Sequence, residues 1–210
     1  LFSAHDRAEG AEYIRRVLKK NRIPGHFFLT GAFLRNPEFR KLIKDLKRDG
    51  HYIGSHSDQH LLYCDWTHRD SLLVSQEAFN TDLRASYQAL AAFGIRKAPW
   101  FLPPYEWYNQ KIVAWGKEQG LQVINFTPGT GTNADYTWPG LPNYRSSDTL
   151  LARLFCYDDQ QSLKGAFLLI HPGTDPRRMD KFYHLLDSTI LPTLRKRGYR
   201  FGQLPDQPFH

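Results

Sequence analysis

Apolar positions along the chain alternate between two periods. Residues 11–20 carry Ile14, Val17 and Leu18 among charged neighbours, the three-and-four spacing of a helix with one buried face, ending near Asn21. His26 to Gly31 is a short apolar run closed by glycine, which reads as a buried strand. A helix is predicted over 37–49, with Phe39, Leu42, Ile43 and Leu46 on one face, Pro37 near its start and Gly50 just past its end. The series continues with a strand over 51–55 and a long helix within 71–93 that steps through Phe79, Leu83, Tyr87 and Leu90. A strand at 100–102 stops at Pro103 and Pro104, and a helix over 109–118 leads to a strand over 121–126. After a stretch from Thr127 to Arg145 rich in Gly, Thr, Asn and Pro, Ser147 and Asp148 offer a cap to a helix carrying Leu150, Leu151 and Leu154. A strand over 166–170, a helix over 177–197 interrupted at Pro192 and a strand over 199–201 complete the pattern.

With Leu1 to Ala4 as the tail of a first strand, seven strands alternate with six helices. That alternation predicts an α/β fold, a parallel sheet covered by helices, and seven strands favour a distorted (β/α) barrel in a single domain over 1–210. The Gly-rich first turn of a dinucleotide fold is absent, since Asp6 to Gly10 reads Asp-Arg-Ala-Glu-Gly. In barrels the chemistry gathers where strands end. The 127–145 stretch is too long for an ordinary connection and reads as a binding loop or lid.

Composition narrows the classes. A chain of 210 residues with 41% hydrophobic and 14% aromatic content is long enough for one sizeable core, which excludes disorder and fibres. No apolar run reaches the roughly 18 residues of a membrane span. The net charge of +7 is dispersed over segments such as Arg15, Arg16, Lys19 and Lys20, or Arg195, Lys196 and Arg197. Those residues read as solvated helix faces, and no nucleic-acid partner is expected. Cys64 and Cys156 allow one bridge or two free buried thiols, and make no thiolate metal site. The start shows no leader pattern, and the chain is expected to be a mature or trimmed fragment.

Four polar clusters follow predicted strands: His5-Asp6, His56 to His60, Pro103-Pro104-Tyr105, and His171. His56 and His60, four apart, face one side if they lie on a helical turn. Two imidazoles and one carboxylate with an open position make a catalytic zinc site, and Asp6 is the natural third ligand. Taken singly, each has a plainer reading: ordinary loop histidines, and for Asp6 a helix N-cap near Ala8.

The chain resembles polysaccharide deacetylases of the NodB-homology type, carbohydrate esterase family four. His56-Ser57-Asp58-Gln59-His60 matches that family's His-Ser/Thr-x-x-His motif, and Leu168-Leu169-Ile170-His171 its Leu-x-x-His motif. Leu102-Pro103-Pro104-Tyr105 matches Arg-x-Pro-Tyr in part, and Asp6, fifty positions before His56, stands where the second Asp of Thr-Phe-Asp-Asp-Gly binds metal. The resemblance runs over residues 2 to 203 and implies hydrolysis of N- or O-acetyl groups on a glycan outside the cytoplasm. It implies a divalent ion, zinc first, held by Asp6, His56 and His60, polarising the acetyl carbonyl and activating water. It also implies His171 as general acid, the Tyr105 backbone N–H as an oxyanion donor, and Leu168 lining the acetyl pocket. Pro104 shapes the turn that presents Tyr105, and Trp66 and Trp138 are candidates for stacking on sugar. As isolated residues, His171 and Leu168 read equally as core and the Tyr105 ring as packing.

Two departures stand out. His5 replaces the family's base Asp, and Leu102 replaces the Arg that pairs with it, a consistent exchange because an unpaired buried guanidinium is costly. His5 is therefore open as base, fourth metal ligand or spectator, with Asp58 and Glu106 as carboxylates that could stand in. The fourth motif has two loose candidates, Asp135 (with Trp138 after it) and Asp148. A catalytically impaired glycan-binding pseudoenzyme is the alternative reading.

Overall fold

The computed structural model describes residues 1–205. They fall into two compact units: Ser3–Asp6 with His26–Asn125 and the chain from Leu204, and Leu1–Phe2 with Arg7–Gly25 and Phe126–Gln203.

The sheet has five parallel strands in sequential order: β1 (Phe2–Ala4), β2 (His26–Leu29), β3 (Tyr52–Ser55), β4 (Trp100–Phe101) and β5 (Gln122–Val123). β2 is buried at every position, as a strand covered on both faces must be. Its register with β3 runs from His26 opposite Tyr52 to Leu29 opposite Ser55. Pairing continues one step past the strands: His56 N donates to Leu29 O (3.0 Å) and Leu102 N to Ser55 O (3.2 Å). The residues that follow β3 and β4 are thus fixed by the ladder itself.

Around this sheet in the first-named unit lie α2 (Gly31–Arg35), α3 (Arg40–Arg48), α4 (Gln76–Ala91) and α5 (Gln110–Glu118). Side chains cap three of them: Thr30 accepts from Phe33 N, Ser75 from Ala78 N and Asn109 from Ile112 N. Tyr63, Cys64, Phe79, Leu83, Phe101 and Ile112 make a core cluster.

In the other unit, α1 (Ala11–Asn21) buries Ile14, Val17 and Leu18, the face its period predicted. It packs with the C-terminal segment through Lys20–Asp187 (2.9 Å) and the Arg195 bonds to Asn21. α6 (Ser147–Gln161) is capped by Ser146, one residue before the predicted Ser147-Asp148 cap.

The α/β class and the parallel sheet stand. Of the seven predicted strands, five form. Among the described residues, 166–170 contribute only an isolated parallel bridge between Ile170 and Phe2, and 199–201 form no ladder. The helix expected over 177–197 reduces to a 3-10 turn (Phe182–His184), a π-type turn (Leu186–Ile190) and α7 (Leu191–Lys196). Pro192 explains the last break, because it lacks the N–H that would continue the helical ladder. Both cysteines are free, Cys64 buried and Cys156 exposed.

Candidate active site

The loop after β3 carries the histidine pair. It is not the helical turn expected from the spacing, since Ser57 (φ 67°) and His60 (φ 58°) are left-handed, an uncommon state for side chains of this kind. Polar bonds hold the shape: Ser57 N donates to Ser55 Oγ (3.1 Å) and His60 N to Ser57 Oγ (2.9 Å). The Asp82 carboxylate on α4 takes the Asp58 and Gln59 amides, both at 2.9 Å. Burial pushes the Asp82 carboxyl up, against the pull of those two bonds.

This loop brings His56 Nε2 within 3.1 Å of His60 Nε2. His56 Nδ1 lies 2.8 Å from Leu102 O. A carbonyl only accepts, so Nδ1 carries the proton and Nε2 presents its lone pair. That is the second bond commonly made by a metal-binding imidazole.

His5, on the turn after β1, stacks against His60 with ring centroids 4.9 Å apart. Thr30 fixes it: Oγ1 donates to His5 O (3.1 Å), accepts from Phe33 N (3.1 Å) and stands 3.3 Å from His5 Nδ1. With its hydrogen already given, Oγ1 can only accept from Nδ1, which leaves His5 Nε2 as the basic nitrogen. Asp6 is exposed, one residue further along the turn. It does not cap α1, whose N-cap is Gly10.

The turn after β4 supplies the other wall. Pro104–Glu106 is a 3-10 turn closed by Glu106 N to Pro103 O (3.0 Å) and Trp107 N to Pro104 O (3.2 Å). Pro104 is buried, while Tyr105 (φ 59°) and Glu106 (φ 54°) are consecutive left-handed residues. Their conformation sets the Tyr105 ring 4.3 Å from His60 and Glu106 Oε1 3.9 Å from His56 Nε2. Asp58 turns elsewhere: Arg35 of α2 grips it with two bonds of 2.6 and 2.8 Å. Burial alone would raise the Asp58 carboxyl, but the bonds from Arg35 and Gln59 outweigh it and hold it low. Of the two stand-in carboxylates, Glu106 is the one beside the histidines.

The other unit holds His171. The buried Asp135 carboxylate accepts from His171 N (2.8 Å) and lies 2.5 Å from His171 Nδ1, which orients the ring. Asp135 reaches it on the 3-10 turn Thr132–Tyr136, inside the long polar stretch. Leu168 is half-buried, and its carbonyl accepts from the Leu1 amino group at 2.6 Å. Trp138 makes a poor sugar platform. Arg177 lies over its ring at 3.4 Å, and Gly140 packs so closely on it that a Cβ there would overlap the indole. Trp66, by contrast, is open and lies 5.4 Å from the Tyr105 ring.

A family model of polysaccharide deacetylases matches residues 5–124, which include His5, both loop histidines and the Pro-Pro-Tyr turn. The chain belongs to the polysaccharide deacetylase family. It is 26% identical over 195 residues to the peptidoglycan-N-acetylmuramic acid deacetylase PdaA of Bacillus subtilis, 92% of this chain and 64% of that protein. In fold it is similar to the Bc1960 peptidoglycan N-acetylglucosamine deacetylase, with a TM-score of 0.74, 22% identity, and 98% and 86% of the two chains covered. It is similar too to BA3943, a family-four pseudoenzyme from Bacillus anthracis, with a TM-score of 0.70, 21% identity, and 95% and 61% covered. The chain spans 54% to 64% of the length of the first three curated relatives it matches.

Polysaccharide deacetylases imply a metal, and the histidine pair fits one. The two Nε2 atoms stand 3.1 Å apart, a separation close to that of two ligands on one cation, and His56 presents a lone pair there because its proton is on Nδ1. Among the described residues, no group of three or more His, Cys, Asp or Glu side chains stands ready to hold an ion. Asp6, the third ligand suggested by the sequence, lies on the exposed turn beyond β1.

Four residues escaped the sequence reading: Thr30, Arg35, Asp82 and Arg178. Thr30 precedes a helix too short to show a period, and only its cap chemistry could have marked it. Arg178 is wholly buried, donating to Thr137 O (2.6 Å), Arg145 O (3.0 Å) and Ser147 Oγ (3.0 Å). It thereby ties down the end of the turn that carries Asp135.

Proposed function

We propose that this polysaccharide deacetylase domain hydrolyses N- or O-acetyl groups on an envelope glycan outside the cytoplasm, using a divalent ion, zinc first, held by His56, His60 and Asp6. The observation that supports this most is the convergence of the two Nε2 atoms, with His56 locked from behind by Leu102 O. When bound, such an ion supplies Lewis acidity toward the acetyl carbonyl and the attacking water.

The chain's own groups take the remaining tasks. His5, protonated on Nδ1 toward Thr30, offers Nε2 as the base that accepts the proton of water. The Tyr105 N–H, presented by the Pro103-Pro104 turn, donates to the developing oxyanion. His171, oriented by Asp135, gives its proton to the leaving amine or alcohol, and Leu168 lines the space for the acetyl methyl.

Acetate release from peptidoglycan and from acetylated chito-oligosaccharides, with and without zinc, tests the reading. Metal-dependent turnover that His56→Ala lowers by at least about 100-fold supports it. The absence of turnover with every metal and glycan rejects it. The pseudoenzyme reading draws on a specific observation, His5 and Leu102 in place of an Asp–Arg pair. It predicts glycan binding with no acetate release.

A further inference from the structure

Parallel strands give the sheet two distinct ends. His56 and Tyr105 follow β3 and β4, so the histidines lie at the end where those strands finish. At the other end, the loops that lead into β4 and β5 enclose a cavity of about 490 Å³ lined by Arg84, Tyr87, Arg96, Lys97, Pro99 and Leu121.

The walls of this cavity are fixed by the fold. Gly94 (φ 71°) turns the chain out of α4, with its N–H on Ala91 O (2.8 Å) and Ile95 N on Leu90 O (3.2 Å). Gly120 (φ 76°) does the same after α5, where Leu121 N donates to Gly116 O (3.0 Å). Gln122 N donates to Pro99 O (2.8 Å) and ties the two loops together. Tyr87 spends its hydroxyl on Ala98 O (2.6 Å), and with Leu121 it packs on the core cluster that contains Leu83. A ligand would meet preformed walls and lose little binding energy to ordering them.

The charge in the cavity has one sign. Arg84, Arg96 and Lys97 line it, and no carboxylate does among the described residues. None of the three makes an ion pair or hydrogen bond among the described residues, whereas Arg35, Arg177 and Arg197 each hold a carboxylate. Guanidinium forks match phosphate oxygens, and three cations without a counter-charge favour a dianion over a single carboxylate. The Leu83, Tyr87 and Leu121 side chains offer that anion's organic body an apolar surface. No large exposed apolar side chain belongs to the cavity, as a rim that enters a bilayer would need. We propose that this cavity is a second binding site, for a small soluble organic phosphate: a phosphate monoester on a ring-sized apolar body. It lies away from the histidines and does not depend on what they hydrolyse.

The test is calorimetry on the whole chain at neutral pH with a chelator present, so that no metal at the histidines holds the anion. Phenyl phosphate, inorganic phosphate and benzoate are the probes. Phenyl phosphate should bind one to one, at least about tenfold more tightly than either of the others. Arg84→Gln and Arg96→Gln, at exposed and unpaired positions, should each weaken it by about tenfold, while Lys164→Gln, the same charge change on another surface, should leave it unchanged. Benzoate binding as tightly as phenyl phosphate overturns the phosphate assignment. Equal losses in all three variants overturn the site, since bulk charge would then be responsible. Co-sedimentation with phosphatidic acid vesicles, with no binding of phenyl phosphate, assigns the cations to a membrane surface and overturns the soluble ligand.

Discussion

His56 has a fixed task for each ring nitrogen: Nδ1 is spent on Leu102 O and Nε2 faces His60. His171 repeats the logic with Asp135, and the consequence is measurable. Asp135→Asn keeps the shape but no longer stabilises a charged imidazole, so kcat should fall about 100-fold with little change in KM, as steady-state kinetics would show. Asp58 has a structural task instead. Arg35→Leu leaves that buried carboxylate without its cation, which at a half-exposed pair should cost about 1–2 kcal/mol in urea unfolding at neutral pH. The Asp58 carboxyl is depressed in the fold, so the pair stabilises above the ordinary carboxylate range and that contribution fades as pH falls through the lowered value. The variant and wild type should therefore converge in acid. The candidate histidines were legible because the His56–His60 pair occurs in order with Asp6 before it and His171 after it, each just past a predicted strand. The partners Thr30, Arg35 and Asp82 were not, because nothing local distinguishes a threonine or aspartate that will cap or clamp from one that is merely solvated.

At the level of elements, α2 is the piece most closely fitted to the histidine loop. Gly31 N donates to Ser57 O (3.0 Å) and Ala32 N to Asp58 O (3.2 Å), and a Cβ at Gly31 would lie 1.7 Å from Asp58 Oδ1. Gly31→Ala must displace a carboxylate already held by Arg35. It should destabilise by about 1–3 kcal/mol and lower activity with it, as thermal unfolding and turnover measured together would show. Long amphipathic helices such as α1 and α4 were legible from their period, and α4 lies inside the predicted 71–93 window, starting at its Ser75 cap. The strands after α6 were misread for a physical reason. An apolar run reports burial, which Leu169 and Ile170 indeed have, whereas a strand also needs a neighbour, and Ile170 finds one partner residue in Phe2. Tyr199 is anchored by its hydroxyl to Asp158 and Ser162 rather than by a ladder. The short α2 carries too few residues to show any period at all.

For the chain as a whole, the order and spacing of motifs carried the family assignment, and the family model covers those at Asp6, His56 to His60 and Leu102 to Tyr105 while ending before Leu168 to His171. The sequence alone did not tell a held side chain from an exposed one. It placed Asp6, His56 and His60 on equal footing, while the fold locks the two imidazoles together and leaves the carboxylate on an open turn. It likewise ranked Trp66 with Trp138, although the second is capped by Arg177. The account therefore turns on whether His56 and His60 share a cation. Anomalous scattering at the zinc edge from crystals grown with zinc tests this most directly. The account predicts one strong peak within bonding distance of both Nε2 atoms, with Asp6 drawn in as the third ligand. Crystals in which the two imidazoles remain hydrogen-bonded to each other, with no peak between them, would contradict it.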